Sequence, residues 1–170
     1  MLKPTRAFFL FGPRGVGKST WLPQNFPGAH MIDLLASRIN LEYLKNPSLL
    51  EQEVRAQSKE KWVIIDEIQK VPSLLDEVQN LMENHEHRLF ALSGSSARKL
   101  RRGGGNLLAG RAVLRKLFPF TAEELNFSLP VEQLITYGSL PASVNASTNA
   151  ERDDFLTSYL ESYLREEIRE

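Results

Sequence analysis

The sequence predicts an α/β protein in which a central, mainly parallel β-sheet lies between layers of helices, with further helices towards the C-terminal end. Short apolar runs at residues 6–11, 62–65 and 88–92 favour buried strands, because parallel strands covered on both faces consist almost entirely of apolar residues. Polar or glycine residues follow each run, as expected where such strands end at a ligand site. Segments with apolar residues at helical spacing separate the runs, which is typical of α/β folds.

The segment after the first apolar run matches the phosphate-binding pattern G-x-x-x-x-G-K-[ST] at every required position. It consists of Gly12, Pro13, Arg14, Gly15, Val16, Gly17, Lys18, Ser19 and Thr20. Glycines permit positive φ angles, so that successive backbone N–H groups can surround the phosphate oxygens of ATP or ADP. Lys18 is then expected to reach the β- and γ-phosphates, and the Ser19 hydroxyl to bind Mg²⁺. We therefore expect a three-layer P-loop NTPase fold; the alternative is a glycine-rich turn with an incidental lysine.

The second apolar run ends in two adjacent carboxylates, Asp66 and Glu67. An apolar strand with this acidic end has the form of a Walker B motif, in which Asp66 holds Mg²⁺ beside Ser19, directly or through water. Glu67 is then placed to orient the attacking water and to take up its proton. By itself a strand that ends in Asp-Glu often only meets solvent, but downstream of a phosphate-binding loop it favours a hydrolytic site.

The third apolar run is followed by serines at positions 93, 95 and 96. Polar side chains at the end of a central strand can contact the γ-phosphate or the attacking water. Ser95 is the first candidate for this contact and Ser93 the second. The alternative is a serine-rich turn in which Ser96 caps a helix that begins at Ala97.

Arg111 precedes a predicted strand at residues 112–117 and could neutralise charge on the transferred phosphoryl group. An ion pair at the edge of the sheet explains this arginine equally well. Four basic residues within 98–102, followed by glycines, could contact nucleic acid, another subunit or the nucleotide, although a solvated helix end has the same composition. His85 and His87 have no third ligand nearby in the sequence, so a metal site is not expected there.

Composition narrows the classes of function. The chain has 170 residues, of which 42% are hydrophobic, and this suits one domain with a full core, or one domain with an additional element. The 21 basic residues match the 21 acidic residues, so the overall charge does not favour binding to nucleic acid or to an anionic membrane. Cysteine is absent, which excludes disulfides and thiolate metal sites, and no apolar stretch is long enough for a transmembrane helix. We therefore expect a cytoplasmic protein without membrane contact.

Beyond the predicted sheet, the sequence favours short helices. Thr121 and Glu124 have the spacing of a capping box, which predicts that a helix begins there. Residues 131–137 predict another short helix, which Gly138 ends because glycine readily adopts the left-handed conformation needed after a helix. Pro141 interrupts the chain again.

The last segment begins with a second capping-box pair, Thr148 and Glu151, and continues as a helix with a broad apolar seam. The seam consists of Phe155, Leu156, Tyr159, Leu160, Tyr163, Leu164 and Ile168. The pattern runs to Glu170 without a capping residue, so we expect that the natural chain continues and that the seam packs on further structure. A helix that frays at a real C-terminus is the alternative.

The motifs occur in an order that resembles a known family. The resemblance is carried by the phosphate-binding loop, the strand at residues 63–67 with Ile68-Gln69-Lys70-Val71-Pro72, and the segments Leu92-Ser93-Gly94-Ser95-Ser96, Leu108-Ala109-Gly110-Arg111 and Pro119-Phe120-Thr121. In these features the chain resembles predicted AAA+-superfamily ATPases of bacteria and archaea, whose ATPase core precedes a C-terminal domain of unknown function.

The resemblance implies a sheet of the additional-strand, catalytic-glutamate type. In such a sheet the strand that carries Ser93 lies between the phosphate-loop strand and the Walker B strand. The resemblance also implies an ATPase core at residues 1–128 and a helical linker at residues 129–170. That linker is expected to lead into a C-terminal domain outside this chain.

The sequence favours a module that binds ATP, hydrolyses it with Mg²⁺ and couples the nucleotide state to conformational change or assembly, including assembly into a homo-oligomer. The candidate catalytic residues are Lys18, Glu67, Ser95 and Arg111. The first alternative is a nucleotide-dependent switch with negligible hydrolysis of its own. A nucleic-acid-dependent ATPase is a further alternative, which the superficial likeness of residues 66–69 to helicase motifs suggests and the zero net charge opposes.

Overall fold

A computed structural model describes residues 4–58, 61–84, 88–95, 97–102, 108 and 110–164, without the side chains of Lys99, Arg101, Arg102 and Leu164. The chain forms two compact units. The first consists of Met1–Gly12 and Lys18–Lys116, and the second of Pro13–Gly17 and Leu117–Glu170. The expectations for His85, His87, Ser96, the glycines at 103–105 and the helix beyond Leu164 lie outside the described residues.

A five-stranded sheet forms the centre of the first unit. Its strands are β1 (Phe8–Phe11), β2 (His30–Asp33), β3 (Val63–Asp66), β4 (Phe90–Gly94) and β5 (Val113–Lys116). They lie in the order β2-β3-β4-β1-β5, and each neighbouring pair is parallel. The predicted α/β class with a parallel sheet is confirmed, and β4, which carries Ser93, lies between β1 and β3 as the resemblance implied.

The three central strands owe their apolar sequences to burial on both faces. Every residue of β1, β3 and β4 is buried. The edge strand β5 is different, since Val113 and Leu114 are exposed. Because all the strands are parallel, the carboxyl ends of β1, β3 and β4 meet at one edge of the sheet, and the polar segments that follow these strands begin there.

Helices connect the strands of the first unit. They are α1 (Lys18–Asn25), α2 (Ser37–Lys45), α3 (Leu49–Ala56), α4 (Leu74–Asn84) and α5 (Ala97–Arg102), with a 3₁₀ turn at Ile68–Lys70. The α4 helix buries Leu74, Leu75, Val78 and Leu81, which recur at helical spacing and therefore form one apolar face. Each of these side chains contributes roughly 1.5 to 3 kcal/mol through its removal from water.

The second unit contains α6 (Val131–Tyr137), α7 (Pro141–Asn145) and α8 (Asn149–Tyr159), followed by a π-helical turn at Leu160–Leu164. Gly138 ends α6 with a φ of 68°, as its position predicted. Thr148 caps α8 as predicted, since the Glu151 N–H donates to Thr148 Oγ1 at 3.2 Å, while the Glu151 carboxylate accepts the N–H of Ser147 at 2.7 Å. No helix in the described part of the chain combines the length and the apolar character needed to cross a bilayer.

The prediction that a helix begins at Thr121 was wrong. The capping box itself forms, since the Glu124 N–H donates to Thr121 Oγ1 at 3.1 Å and the Thr121 N–H donates to Glu124 Oε2 at 2.9 Å. The chain then closes after one turn, because Asn126 and Phe127 adopt positive φ angles of 50° and 52°. The Phe127 N–H bonds back to the Ala122 carbonyl at 2.8 Å, in the manner of a helix C-terminus. A capping box stabilises a first turn but does not ensure a second one.

Candidate functional site

Both carboxylate oxygens of Asp66, the last residue of β3, accept a hydrogen bond from a serine hydroxyl. The Ser19 hydroxyl, in the first turn of α1, donates to Asp66 Oδ2 at 2.5 Å. The Ser93 hydroxyl donates to Asp66 Oδ1. The carboxylate is 1% exposed, and a buried charge requires partners of this kind. The structure therefore brings the two predicted metal ligands, Ser19 and Asp66, into direct contact.

Ser93 has a structural role at this site in addition to its place in the strand. It is fully buried in β4, and its hydroxyl also accepts the Glu67 N–H at 3.4 Å. One hydroxyl thus contacts the side chain of Asp66 and the backbone of Glu67. The sequence suggested Ser93 as the second candidate for a γ-phosphate contact, and the structure shows that its hydroxyl holds the end of β3.

Glu67 follows Asp66 in an uncommon backbone conformation, with φ of 59° and ψ of 46°. For a residue other than glycine this left-handed conformation costs about 1 to 2 kcal/mol. Its carboxylate accepts a hydrogen bond from Gln69 Nε2, and the same nitrogen lies 3.3 Å from the Ser95 hydroxyl. The structure therefore brings together Glu67 and Ser95, two of the predicted catalytic residues, through a side chain that was not predicted.

Lys18 is buried at the start of α1, with 4% of its surface exposed. Its Nζ donates to the Gly12 carbonyl at 2.8 Å. Burial lowers the pKa of Lys18 below its ordinary value of 10.5, while the Glu67 and Asp66 carboxylates act in the opposite direction. An ammonium group in such a poorly hydrated position is suited to bind a strongly charged anion such as a phosphate.

The loop at residues 13–17, in the second unit, depends on backbone conformation. Gly15 and Gly17 have φ angles of 75° and 97°, and a Cβ atom on either residue would meet nothing within 4 Å. Glycine is therefore favoured at both positions because it readily adopts these positive φ angles, and not because a side chain would lack space. Within the same unit the Tyr159 hydroxyl donates to the Arg14 carbonyl at 3.1 Å. This contact connects the loop to the end of α8, and the sequence offered no sign of it.

Arg111 lies next to β5 and forms an ion pair with Glu83 of α4. Its Nη2 is 2.7 Å from Glu83 Oε1, and both side chains are more than two-fifths exposed. A pair as exposed as this one contributes at most about 1 kcal/mol. The structure shows the ion pair that was the alternative explanation, and a catalytic role for Arg111 stays a prediction.

The oxygens around Asp66 are chemically suited to Mg²⁺. The described residues contain no cluster of three histidine, cysteine, aspartate or glutamate side chains that could enclose a metal ion. Mg²⁺ does not require such a cluster, because it commonly takes one or two protein oxygens and completes its shell with water and substrate phosphates. The Ser19 hydroxyl and the Asp66 carboxylate, which lie in contact, would supply protein oxygens of this type.

The sheet, the glycine-rich loop and the acidic strand end agree with a comparison against known protein families. A family model described as an AAA domain matches residues 4–126. The chain belongs to this AAA-domain family. It is thus an AAA-type, P-loop ATPase-like domain that binds a nucleotide. No curated protein matches the chain significantly.

Proposed function

We propose that this AAA domain binds ATP with Mg²⁺, hydrolyses the bond to the γ-phosphate and changes its conformation or assembly with the nucleotide state. The observation that supports this most directly is the contact between Ser19 and Asp66 at 2.5 Å. A hydroxyl of the phosphate-binding segment is in contact with a strand-end carboxylate, and we propose that one Mg²⁺ ion binds both. Mg²⁺ bound there would neutralise phosphate charge.

The remaining residues of the phosphate-binding loop would hold the nucleotide. Backbone N–H groups of residues 12–20 would surround the phosphates, with Gly15 and Gly17 supplying the positive φ angles. Lys18 would contact the β- and γ-phosphates in exchange for its present bond to the Gly12 carbonyl.

Glu67 is the proposed base for hydrolysis. Its carboxylate would orient a water molecule in line with the bond between the γ-phosphorus and the β–γ bridging oxygen. The water oxygen bonds to phosphorus, the bond to the bridging oxygen breaks, and ADP leaves with the electron pair. The proton that the water loses passes to the Glu67 carboxylate. Ser95 is proposed to contact the γ-phosphate from the end of β4.

The proposed change of conformation is supported by the bond between Tyr159 and the Arg14 carbonyl. The loop that would carry the phosphates and the helix α8 share this contact within the second unit. A rearrangement of the loop backbone on nucleotide binding would therefore act on α8 directly. We propose that residues 129–170 form the helical linker that responds to this change.

Arg111 is proposed to act in an assembly, since its present partner Glu83 is exposed and can be exchanged at little cost. In a homo-oligomer Arg111 of one copy could complete the site of another. The ATPase rate per molecule would then rise steeply with protein concentration, and this rise would be lost in Arg111→Ala. A rate per molecule that is independent of concentration would contradict a shared site.

Two substitutions test binding and hydrolysis separately. We expect Lys18→Ala to abolish nucleotide binding, measured by calorimetry, because it removes the buried ammonium. Glu67→Gln should still bind ATP while its turnover falls by about 10²- to 10⁴-fold, the usual contribution of a general base. Lys45→Ala and Glu132→Gln, on α2 and α6, are the matched controls and should leave both quantities unchanged. Equal turnover in Glu67→Gln and the parent would contradict the role of Glu67.

A single-turnover measurement separates this proposal from a switch without hydrolysis. Protein in excess over labelled ATP should convert it to ADP and phosphate, and binding should be measured under the same conditions. Tight binding without conversion would favour the switch.

A further inference from the structure

Gln69 connects polar residues that follow two neighbouring strands. It lies in the 3₁₀ turn at Ile68–Lys70, and its Nε2 donates to the Glu67 carboxylate and, at 3.3 Å, to the Ser95 hydroxyl. A primary amide nitrogen carries two N–H groups, so both bonds can form together. Gln69 thereby joins Glu67, which follows β3, to Ser95, which follows β4.

The surroundings of Gln69 fix the direction in which its amide faces. The Oε1 atom is buried and has no hydrogen-bond partner among the described residues. A Cβ atom added to Gly94 would lie 2.5 Å from this oxygen, so the absence of a side chain at Gly94 gives the amide its space. In the reversed orientation Oε1 would face the Glu67 carboxylate, and two acceptors would repel each other. The bonds made by Nε2 therefore determine the observed orientation.

A carboxylate that orients water must be held in direction as well as in place, because catalysis falls steeply with small errors of alignment. The backbone of Glu67 is held by the Ser93 hydroxyl, and its carboxylate by Gln69. We propose that Gln69 is a positioning residue, which holds the Glu67 carboxylate towards the attacking water and links its direction to Ser95. This inference rests on the proposed hydrolysis of ATP.

Gln69→Leu tests the inference, because leucine has a similar size and no donor. We expect kcat to fall at least about tenfold while the affinity for ATP stays within about threefold, since Gln69 has no proposed contact of its own with the nucleotide and Ser95 keeps its hydroxyl. In a Glu67→Gln background the same substitution should cause no further loss, because its effect passes through Glu67. Gln52→Leu, at an exposed position of α3, is the control. An unchanged kcat, or an equal loss in both backgrounds, would overturn the inference.

Gly94→Ala moves Gln69 without changing its chemistry. The new methyl group would clash with Oε1, the end of a flexible side chain, so the amide should turn away while the strand remains. We expect a loss of kcat similar to that of Gln69→Leu. A Gly94→Ala protein with the kcat of the parent and with Gln69 still on Glu67 would show that the space at Gly94 has no bearing on the site.

A measurement that needs no turnover tests the contact itself. The side-chain amide signals of Gln69 can be identified by nuclear magnetic resonance as the pair missing from Gln69→Leu. This pair should shift in Glu67→Ala and in Ser95→Ala and should remain in place in Gln52→Leu. If the chemical shifts of this pair are unchanged in Glu67→Ala, the positioning role is overturned even if the parent hydrolyses ATP. A parent without turnover whose Gln69 pair responds would refute the proposed hydrolysis and leave the link between Glu67 and Ser95 established.

Discussion

The phosphate-binding loop and the ends of β3 and β4 are organised by different physical means. The loop at residues 13–17 depends on backbone conformation, with glycines at positive φ and open space around them. The strand ends depend on side chains from separate elements, where Ser93 and Ser19 contact Asp66 and Gln69 contacts Glu67. The first arrangement follows from the spacing of a few residues, whereas the contacts of Asp66 with Ser19 and Ser93 form only when distant segments fold together.

The largest effect should follow from breaking the strand-end arrangement with Ser93→Ala. The buried Asp66 carboxylate loses a hydroxyl donor, and we expect the free energy of unfolding to fall by about 1.5 to 3 kcal/mol. The Mg²⁺ concentration that half-saturates nucleotide binding should rise, because one Asp66 oxygen is no longer fixed. Chemical denaturation and a Mg²⁺ titration measure the two effects.

Ser143→Ala is the matched control for Ser93→Ala. Ser143 is also buried, with 1% of its surface exposed, and its hydroxyl donates to the Tyr137 carbonyl at 2.9 Å. This substitution should lower stability by about 0.5 to 1.5 kcal/mol, as for a neutral hydrogen bond, and leave the Mg²⁺ dependence unchanged. Equal Mg²⁺ dependence in the Ser93 variant and this control would show that Ser93 does not act on the metal site.

A smaller effect is expected from breaking the loop with Gly17→Ala. The methyl group meets no atom, but a φ of 97° is unfavourable for alanine and should cost about 1 to 2 kcal/mol. The loop would relieve this strain by changing conformation, so the affinity for nucleotide should fall, as calorimetry would show. Gly28→Ala is the control, because Gly28 lies outside the loop, has a positive φ of 77° and also has open space around it. It should lose stability alone, and an equal loss of affinity in both variants would contradict the role of loop conformation.

The smallest effect is expected from Tyr159→Phe, which removes the hydroxyl bonded to the Arg14 carbonyl. A neutral hydrogen bond of this kind contributes about 0.5 to 1.5 kcal/mol, so the affinity for nucleotide should change by roughly tenfold or less. Hydrogen exchange of α8 with and without nucleotide should differ less in the variant than in the parent. Tyr137→Phe, on α6, is the control. If the nucleotide-dependent change in hydrogen exchange of α8 is the same in both variants as in the parent, this contact does not couple the loop to α8.

The fold was predictable from the sequence wherever burial determines residue type. The apolar runs of β1, β3 and β4 are buried at every position, so they could be recognised without knowledge of their neighbours. The α2 helix was not predicted; it buries only Tyr43, and its Leu41 and Leu44 are exposed, so burial does not determine residue type along it. The turn after Thr121 was misjudged as a helix, since its end depends on the positive φ angles of Asn126 and Phe127.

The candidate site was predictable to the extent that its residues belong to motifs. Lys18, Ser19, Asp66 and Glu67 were identified because phosphate and Mg²⁺ chemistry require those residue types at those spacings. Gln69 was overlooked because glutamine in a turn is common, and only the folded chain shows its contacts with Glu67 and Ser95. The ion pair of Arg111 with Glu83 joins two separate elements, so spacing alone could not decide between it and a catalytic role.

Because Lys18 is buried, the folding equilibrium of the domain is also linked to proton binding. The pKa of this lysine is lower in the folded protein than its ordinary value of 10.5, so the unfolded chain binds its proton more tightly. The contribution of Lys18 therefore makes the folded state more stable as the pH rises from the lowered pKa towards 10.5. An anion that compensates the buried charge removes this difference between the folded and unfolded chains. Phosphate binding at Lys18 and proton binding by the folded domain are therefore mutually reinforcing.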